Sequence, residues 1–290
     1  QAEDGIRDRS PSRGLGDVYK RQVNDNWALI EAQNIAIRYK VSLVVCFQFY
    51  GSHRQANIRQ YHFLLEGLKE TQQRLDKLQI HFSLLRGRSH VELPKFIEKY
   101  RVGHMVTDFS PLKVYKNRLR KVLSRISIPV TQVDTHNIIP AWEVTDKKEF
   151  AAYTIRPKIK KWLPEFLTEI PKIKKHPIVA KFKKKEIEWE KIINSLNINF
   201  EVKMVDWINP GEKEGMKLLS QLKTTLKGYN EGRNNPTINK LSNISPYFHY
   251  GHISPQRVAL EISNSSLPIE DLSLIHISEP TRRTPISYAV

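Results

Sequence analysis

The sequence predicts an α/β fold: a doubly wound, Rossmann-like domain of parallel strands, followed by the start of an all-helical domain. Three observations carry this. From Val23 to Thr135, stretches with helical spacing alternate with short apolar runs of strand length, an order that implies a parallel sheet with right-handed crossovers. Ser42 to Phe49 is a nearly continuous apolar run, which is how a strand covered on both faces reads. Beyond Glu186 only helical spacing remains.

The elements follow in order. Asp25-Asn26-Trp27 opens a helix to Tyr39, with Trp27, Ile30, Ala32, Ile35 and Ile37 as its apolar positions. The strand Ser42–Phe49 carries the single cysteine, Cys46, as a small core residue. A long helix from Ala56 to Lys77 presents Ile58, Tyr61, Leu64, Leu65, Leu68 and Leu75 on one side. Ile80–Leu85 is the next strand, His90–Arg101 a helix, His104–Asp108 a short strand, Leu112–Arg125 a helix and Ile128–Val133 the last strand. Residues 136–190 read as an inter-domain linker with an ordinary proline-bounded turn. Helices over Glu188–Leu196 and Gly215–Leu226 begin the second domain, residues 191–272, the latter through Met216, Leu218, Leu219, Leu222 and Leu226. The five tryptophans read as packing.

One strand is lacking. A doubly wound sheet begins with a strand ahead of its first helix, yet Val23 stands almost directly before Asn24-Asp25-Asn26-Trp27. The expectation for residues 23–135 is therefore a domain without its central first strand, with two interior edges short of a ladder partner.

The two ends stand apart. Residues 1–22 and 273–290 show no periodicity and resemble translated sequencing-adapter read-through, so both are set aside. The body keeps the charge. The 290 residues hold 47 Lys and Arg against 30 Asp and Glu, a net +17, and an excess of that size points to phosphate-rich partners. Nucleic acid fits better than a membrane surface, because no basic stretch carries an apolar membrane-facing side. No apolar run approaches the roughly 20 residues of a transmembrane helix. A single cysteine implies an intracellular protein, nuclear or cytoplasmic, without a disulfide framework.

Three sites invite chemistry. Ser245-Pro246 and Ser254-Pro255 both read as helix starts. With Ser242 and Asn243 nearby, the first of these is either an anion site for a phosphate or one of two stacked caps. From Arg156 to Lys191 lie twelve basic and five acidic residues, which is a solvated helix face, a DNA-backbone contact or a nuclear-targeting run. Ligands of doubly wound sheets bind beyond the strand ends: here the loops at Phe49-Tyr50-Gly51, Arg86-Gly87-Arg88 and Asp108-Phe109-Ser110. The histidines show no metal spacing, and nicotinamide, hydrolase and Walker fingerprints are absent from the sequence.

Leu241-Ser242-Asn243-Ile244-Ser245-Pro246-Tyr247-Phe248, with Gly251 and Ile253-Ser254 after it, resembles the flavin-binding segment of the photolyase/cryptochrome family. Tyr229, Arg233 and Pro236 are similar to its Tyr-x3-Arg-x2-Pro element. Asp25-Asn26-Trp27-Ala28-Leu29 is similar to the Asp-Asn-x-Ala-Leu that follows the first strand in this family, and the Thr154-Ile-Arg-Pro-Lys158 run and the Asn-x-Ser-Pro-Tyr-x-His-x-Gly pattern resemble class II cyclobutane pyrimidine dimer photolyases in particular. The resemblance implies a monomeric, light-driven DNA-repair lyase in which reduced FAD passes an electron to a pyrimidine dimer. It implies FAD contacts from Tyr229, Leu241, Ser242, Asn243, Ile244 and Ser245, Arg233 at the flavin–DNA border, and a deazaflavin-type antenna pigment in the first domain. Catalytic residues and relay tryptophans are expected in a helical part that this chain lacks, so the chain as written is expected to be inactive. A cryptochrome-like photoreceptor, or a basic nucleic-acid-binding module without flavin, are the alternatives.

An isolated 23–135 segment is expected to aggregate or to melt without cooperativity. A cooperative, monomeric melting curve would overturn the reading of a sheet with two open interior edges.

Overall fold

Side-chain caps and apolar stripes set the first elements of the computed structural model, which describes residues 21–51, 56–147, 149, 151–181, 186–225, 235, 237 and 241–264. Helix α1 (Trp27–Arg38) starts where the Asn26 side chain accepts the Leu29 N–H at 3.1 Å. Strand β1 (Val44–Phe49) follows. Helix α2 (Ile58–Lys77) opens on a capping box between Asn57 and Gln60, and all six residues expected on its apolar side are buried. Strand β2 (His81–Arg86), helix α3 (Ser89–Tyr100), strand β3 (Met105–Asp108), helix α4 (Lys113–Leu123) and strand β4 (Val130–Val133) complete the α/β part.

The strands form two parallel pairs rather than one sheet. β1 pairs with β2, from Val44 opposite His81 to Phe49 opposite Arg86. β3 pairs with β4, from Met105 opposite Val130 to Asp108 opposite Val133. No ladder joins β1 to β3 among the described residues. Helices do the joining instead. α1 leads into β1 but packs on β3 and β4, and α4 sets Lys116 over the Phe109 ring and Arg118 over the Tyr50 ring. Between the pairs lies a cavity of about 320 Å³, lined along β1 and β3 and by α1, α2 and α4. Val44 to Gln48 are accordingly half-buried, although their sequence reads as an interior strand.

Three expectations need correction. Ile37 is 43% exposed and Met216 36%, because each lies at the margin of its helix's apolar stripe; Leu29, Gln33 and Ala36 take the inner face of α1 instead. The 136–190 stretch contains helices α5 (Ala141–Val144) and α6 (Ala152–Phe166). Pro157 and Pro164 sit inside α6 and made it read as turn, yet buried Ile159 and the Trp162–Phe166 contact hold it. Trp142 and Trp207 are exposed, whereas Trp27 and Trp189 pack and donate to Gln256 and Gln72.

The later helices are α7 (Trp189–Asn194), α8 (Glu212–Thr225), α9 (Ser245–His249) and α10 (Pro255–Ser263). α10 docks on the start of α1. Arg257 grips the Asp25 carboxylate with two bonds, at 2.7 and 3.0 Å. Gln256 accepts from the Trp27 indole at 2.8 Å and donates to the carbonyls of Phe166 and Thr168. Arg21 and Gln22, assigned to the tail by their sequence, lie buried at the same junction. No helix among the described residues is long and apolar enough to cross a membrane.

Asp25→Asn isolates this ion pair, since Asn tolerates the left-handed backbone of position 25 (φ 55°). Glu169 and Glu261 remain 3.5 and 3.6 Å from Arg257. The expected loss is therefore about 2 kcal/mol in chemical unfolding, below the ~3–5 of a fully buried pair; an unchanged midpoint would show that the pair contributes nothing.

Candidate functional site

The 241–254 segment is shaped by one backbone inversion. Asn243 has φ 52°, a conformation that asparagine adopts more readily than most residues. The turn sends Ile244 into the core and leaves Ser242 and Asn243 half-buried, with Ser245 and Leu241 exposed. α9 begins at Ser245 as expected, but the cap does not. Ile244 occupies the cap position and Ser245 is already helical, so its hydroxyl makes no cap bond. Ser254 does cap α10, accepting from the Gln256 N–H at 3.2 Å. The side chains of Ser242, Asn243 and Ser245 have no hydrogen-bond partner among the described residues. Tyr229 and Arg233 lie outside the described residues.

Behind this rim stands a buried aromatic wall. Phe63 of α2 meets Tyr247, Tyr250 and His252, with ring centroids 5.6, 5.0 and 5.0 Å away; His252 is stacked on it at 17°. Tyr247 donates to the Asn209 carbonyl at 2.7 Å. His252 Nδ1 accepts from the Gly211 N–H at 3.1 Å, which leaves the ring proton on Nε2. That nitrogen faces Gly67, where an added Cβ would lie 2.1 Å away. Only glycine fits there.

Burial makes the wall electrically quiet. Desolvation, assisted by the nearby Arg21 cation, pushes His252 down to about 3 and His249 down to about 4. Burial, then Glu214, pushes the Tyr247 phenol up to about 12. The sequence offered no sign of Arg21, which has no periodic neighbours. Its amide donates to the Gly251 carbonyl at 2.8 Å, and its guanidinium donates to the Tyr250 carbonyl at 2.9 Å while lying over the Phe47 and Tyr250 rings.

The strand-end loops gather at a second place. Tyr50, Asp108 and Ser110 line the mouth of the cavity with Ser89, Lys116 and Arg118. Ser89 donates its N–H to the Tyr50 hydroxyl at 3.2 Å, and Arg118 lies 4.4 Å over the Tyr50 ring. Arg118 was missed because its helix reads as solvated. Arg86 and Arg88 are exposed, and Arg86 donates to Ser195 Oγ at 2.9 Å. Cys46 also lines the cavity, its thiol pushed up to about 12 by burial.

In the basic stretch, Arg156, Lys160, Lys161, Lys172, Lys174, Lys175 and Lys181 are exposed, while Lys158 is paired with Glu149 at 2.6 Å. Lys183 to Lys185 lie outside the described residues.

Residues 21–176 match the sequence model of the DNA photolyase family. A deoxyribodipyrimidine photo-lyase of Potorous tridactylus is 40% identical over 245 residues, covering 83% of this chain and 46% of the relative. One of Arabidopsis thaliana is 38% identical over 252 residues, covering 83% and 51%. The chain thus spans about half the length of the curated relatives it matches. Among solved structures, a class III photolyase from Agrobacterium tumefaciens superposes with TM-score 0.64 at 18% identity, over 88% of this chain and 54% of that one. A Synechocystis cryptochrome gives 0.69 at 14%, over 88% and 55%. At those identities the likeness is one of fold.

The buried imidazoles set a pH dependence. Both have folded pKa values below the unfolded 6.5, so the unfolded chain binds more protons and stability falls as pH drops from 6.5 toward 4. At pH 5 the two together remove up to about 4 kcal/mol relative to neutral pH. Unfolding midpoints measured across that range should show the fall, and His249→Phe should halve its slope; a flat profile would mean that the rings are solvated.

Proposed function

Because the chain belongs to the DNA photolyase family, we propose that the protein to which this sequence belongs repairs cyclobutane pyrimidine dimers in DNA with light, as a class II-like photolyase. The observation that carries this is the 40% identity over 245 residues to a relative named deoxyribodipyrimidine photo-lyase.

FAD is the cofactor of this reading, and the rim of the 241–254 segment fits it. Ser242 and Ser245 offer hydroxyls and Asn243 an amide, without competing partners among the described residues, as a diphosphate requires. Ile244, only 2% exposed, fixes the turn that presents them, and Leu241 borders the same face. Tyr229 is assigned to the flavin wall and Arg233 to the flavin–DNA border. When bound, FAD would supply the light-driven one-electron chemistry that the dimer's cleavage needs. The neutral His249 and His252 keep the wall behind the site free of titrating charge near neutral pH. Arg156 and the exposed lysines of the 156–181 stretch neutralise DNA phosphates without sequence preference, and a damaged base flips out at lower cost than an intact pair. A deazaflavin-type antenna pigment is assigned to the cavity mouth at Tyr50, Asp108, Ser110 and Arg118, with Arg86 and Arg88 nearby.

The test takes the longest reading frame that source DNA carries around this sequence and adds UV-irradiated DNA. Dimers are expected to vanish under blue light and persist in the dark. Bound flavin without dimer loss would mean a photoreceptor. No flavin, with salt-sensitive DNA binding indifferent to irradiation, would mean a basic nucleic-acid-binding module. The 290-residue chain alone is expected to purify without stoichiometric flavin and without repair activity; flavin absorbance that co-elutes with it in gel filtration would overturn that.

A further inference from the structure

We propose that the outer face of α4 binds the phosphate backbone of duplex nucleic acid, at a place separate from the 156–181 stretch. Such binding goes beyond dimer repair, since it needs no flavin, no light and no lesion. Residues 109–133 hold six Lys or Arg and no Asp or Glu, so nothing within that stretch offsets their charge. Val122 turns inward, 3% exposed. At about 100° per residue, Lys113, Asn117, Arg120 and Ser124 fall on the opposite side, with Lys116 and Lys121 flanking them. All six are exposed, and each side chain can donate a hydrogen bond. From Lys113 to Ser124 the stripe is about 16 Å long at ~1.5 Å per residue. Phosphates of one strand recur every ~3.4 Å along a duplex axis, so a stripe of that length meets several of them.

The neighbouring helix adds to the same field. α3 packs against α4, and a groove of about 410 Å³ between α3 and the residues after α4 is lined by His90, Lys95, Glu98, Arg125 and Ser127. Arg125 is held there by donating to the His90 carbonyl at 3.0 Å. Partial desolvation, then the Arg125, Lys121 and Arg88 cations, hold the His90 imidazole below its usual range. Cations from both helices thus act on one place, and a bound phosphate relieves their repulsion. The form of the partner follows from what else the face carries. Val114 and Leu123 are its exposed apolar residues, but nine positions apart they lie half a turn from each other, so α4 offers no apolar side to a bilayer. Tyr115, half-buried with Arg118 over its ring, is the aromatic residue of α4. The outer face therefore lacks the stacking rings on which single strands are held, and a duplex, read through its phosphates alone, remains.

The full 290-residue chain is titrated with a short undamaged DNA duplex in the dark, across about 50 to 200 mM salt. Two triple variants are compared with it: Lys113→Gln, Arg120→Gln and Lys121→Gln on α4, and Lys161→Gln, Lys172→Gln and Lys175→Gln in the other basic stretch. Glutamine keeps helix propensity, and all six positions are exposed, so melting midpoints should match the parent's. The expected result is a log–log salt slope shallower by about 0.9 for each α4 cation removed, close to three in all. In the parent chain, the His90 ring resonances should also report a raised pKa once duplex is bound. An unchanged slope in the α4 variant, an unmoved His90, or a parent chain that binds no duplex would each overturn the proposal. A slope that falls only in the second variant would overturn it while leaving the repair reading intact. Anionic phosphatidylserine vesicles that sediment the parent but not the α4 variant, with duplex binding equal in both, would assign the face to a membrane and overturn it too.

Discussion

The grip of Arg257 on Asp25 is the contact on which the arrangement of the other parts depends. It joins the turn just ahead of α1 to α10, at opposite ends of the described chain, with two hydrogen bonds to one carboxylate. Around it, Trp27 and Gln256 bond each other, Gln256 reaches the end of α6, and the Val23 amide donates to Glu212. Glu212 in turn meets Arg74 at 2.6 Å. Burial raises the Glu212 pKa more than Arg74 lowers it. That is the usual strain of a carboxylate taken out of water, tolerated because its oxygens are partnered. The α/β part and the helical part thus share one packed junction, and the rim of the 241–254 segment takes its position from it.

The divided sheet shows what helices can replace and what they cannot. α1 and α4 bridge the two strand pairs by packing, which is non-directional and indifferent to register. Ladder hydrogen bonds are neither, and among the described residues none joins β1 to β3. The half-burial of β1 is the visible result. A strand that is apolar but for Gln48 lies beside a cavity at one edge and beside β2 at the other.

The candidate flavin rim and its supporting wall divide two tasks. Polar groups face outward at Ser242, Asn243 and Ser245, while Phe63, Tyr247, Tyr250 and His252 interlock behind them. Close approach is what makes the wall rigid: with Gly67 on one side and the Gly211 amide on the other, His252 has one place and one tautomer available.

Most elements could be read from the sequence because their causes are local. Periodicity marked α1 to α4 and the four strands, and Asn57 with Gln60 formed the box that starts α2. The prolines of α6 sent the local reading astray, since tertiary contacts of Ile159 and Trp162 outweigh the cost that proline carries inside a helix. Ser245 misled in the same way. Ser-Pro signals a helix start at both sites, but whether the hydroxyl caps depends on backbone angles that the Asn243 inversion decides. Arg21, Arg118 and Arg257 gave no signal, because a guanidinium's role is set by rings and carboxylates far along the chain. The sequence by itself determined the alternation, the motif-bearing segment and the family, all carried by short-range pattern. Tertiary structure alone decided which charges are buried, how the strands divide and what stands behind the rim, because those depend on distances between residues that no spacing encodes.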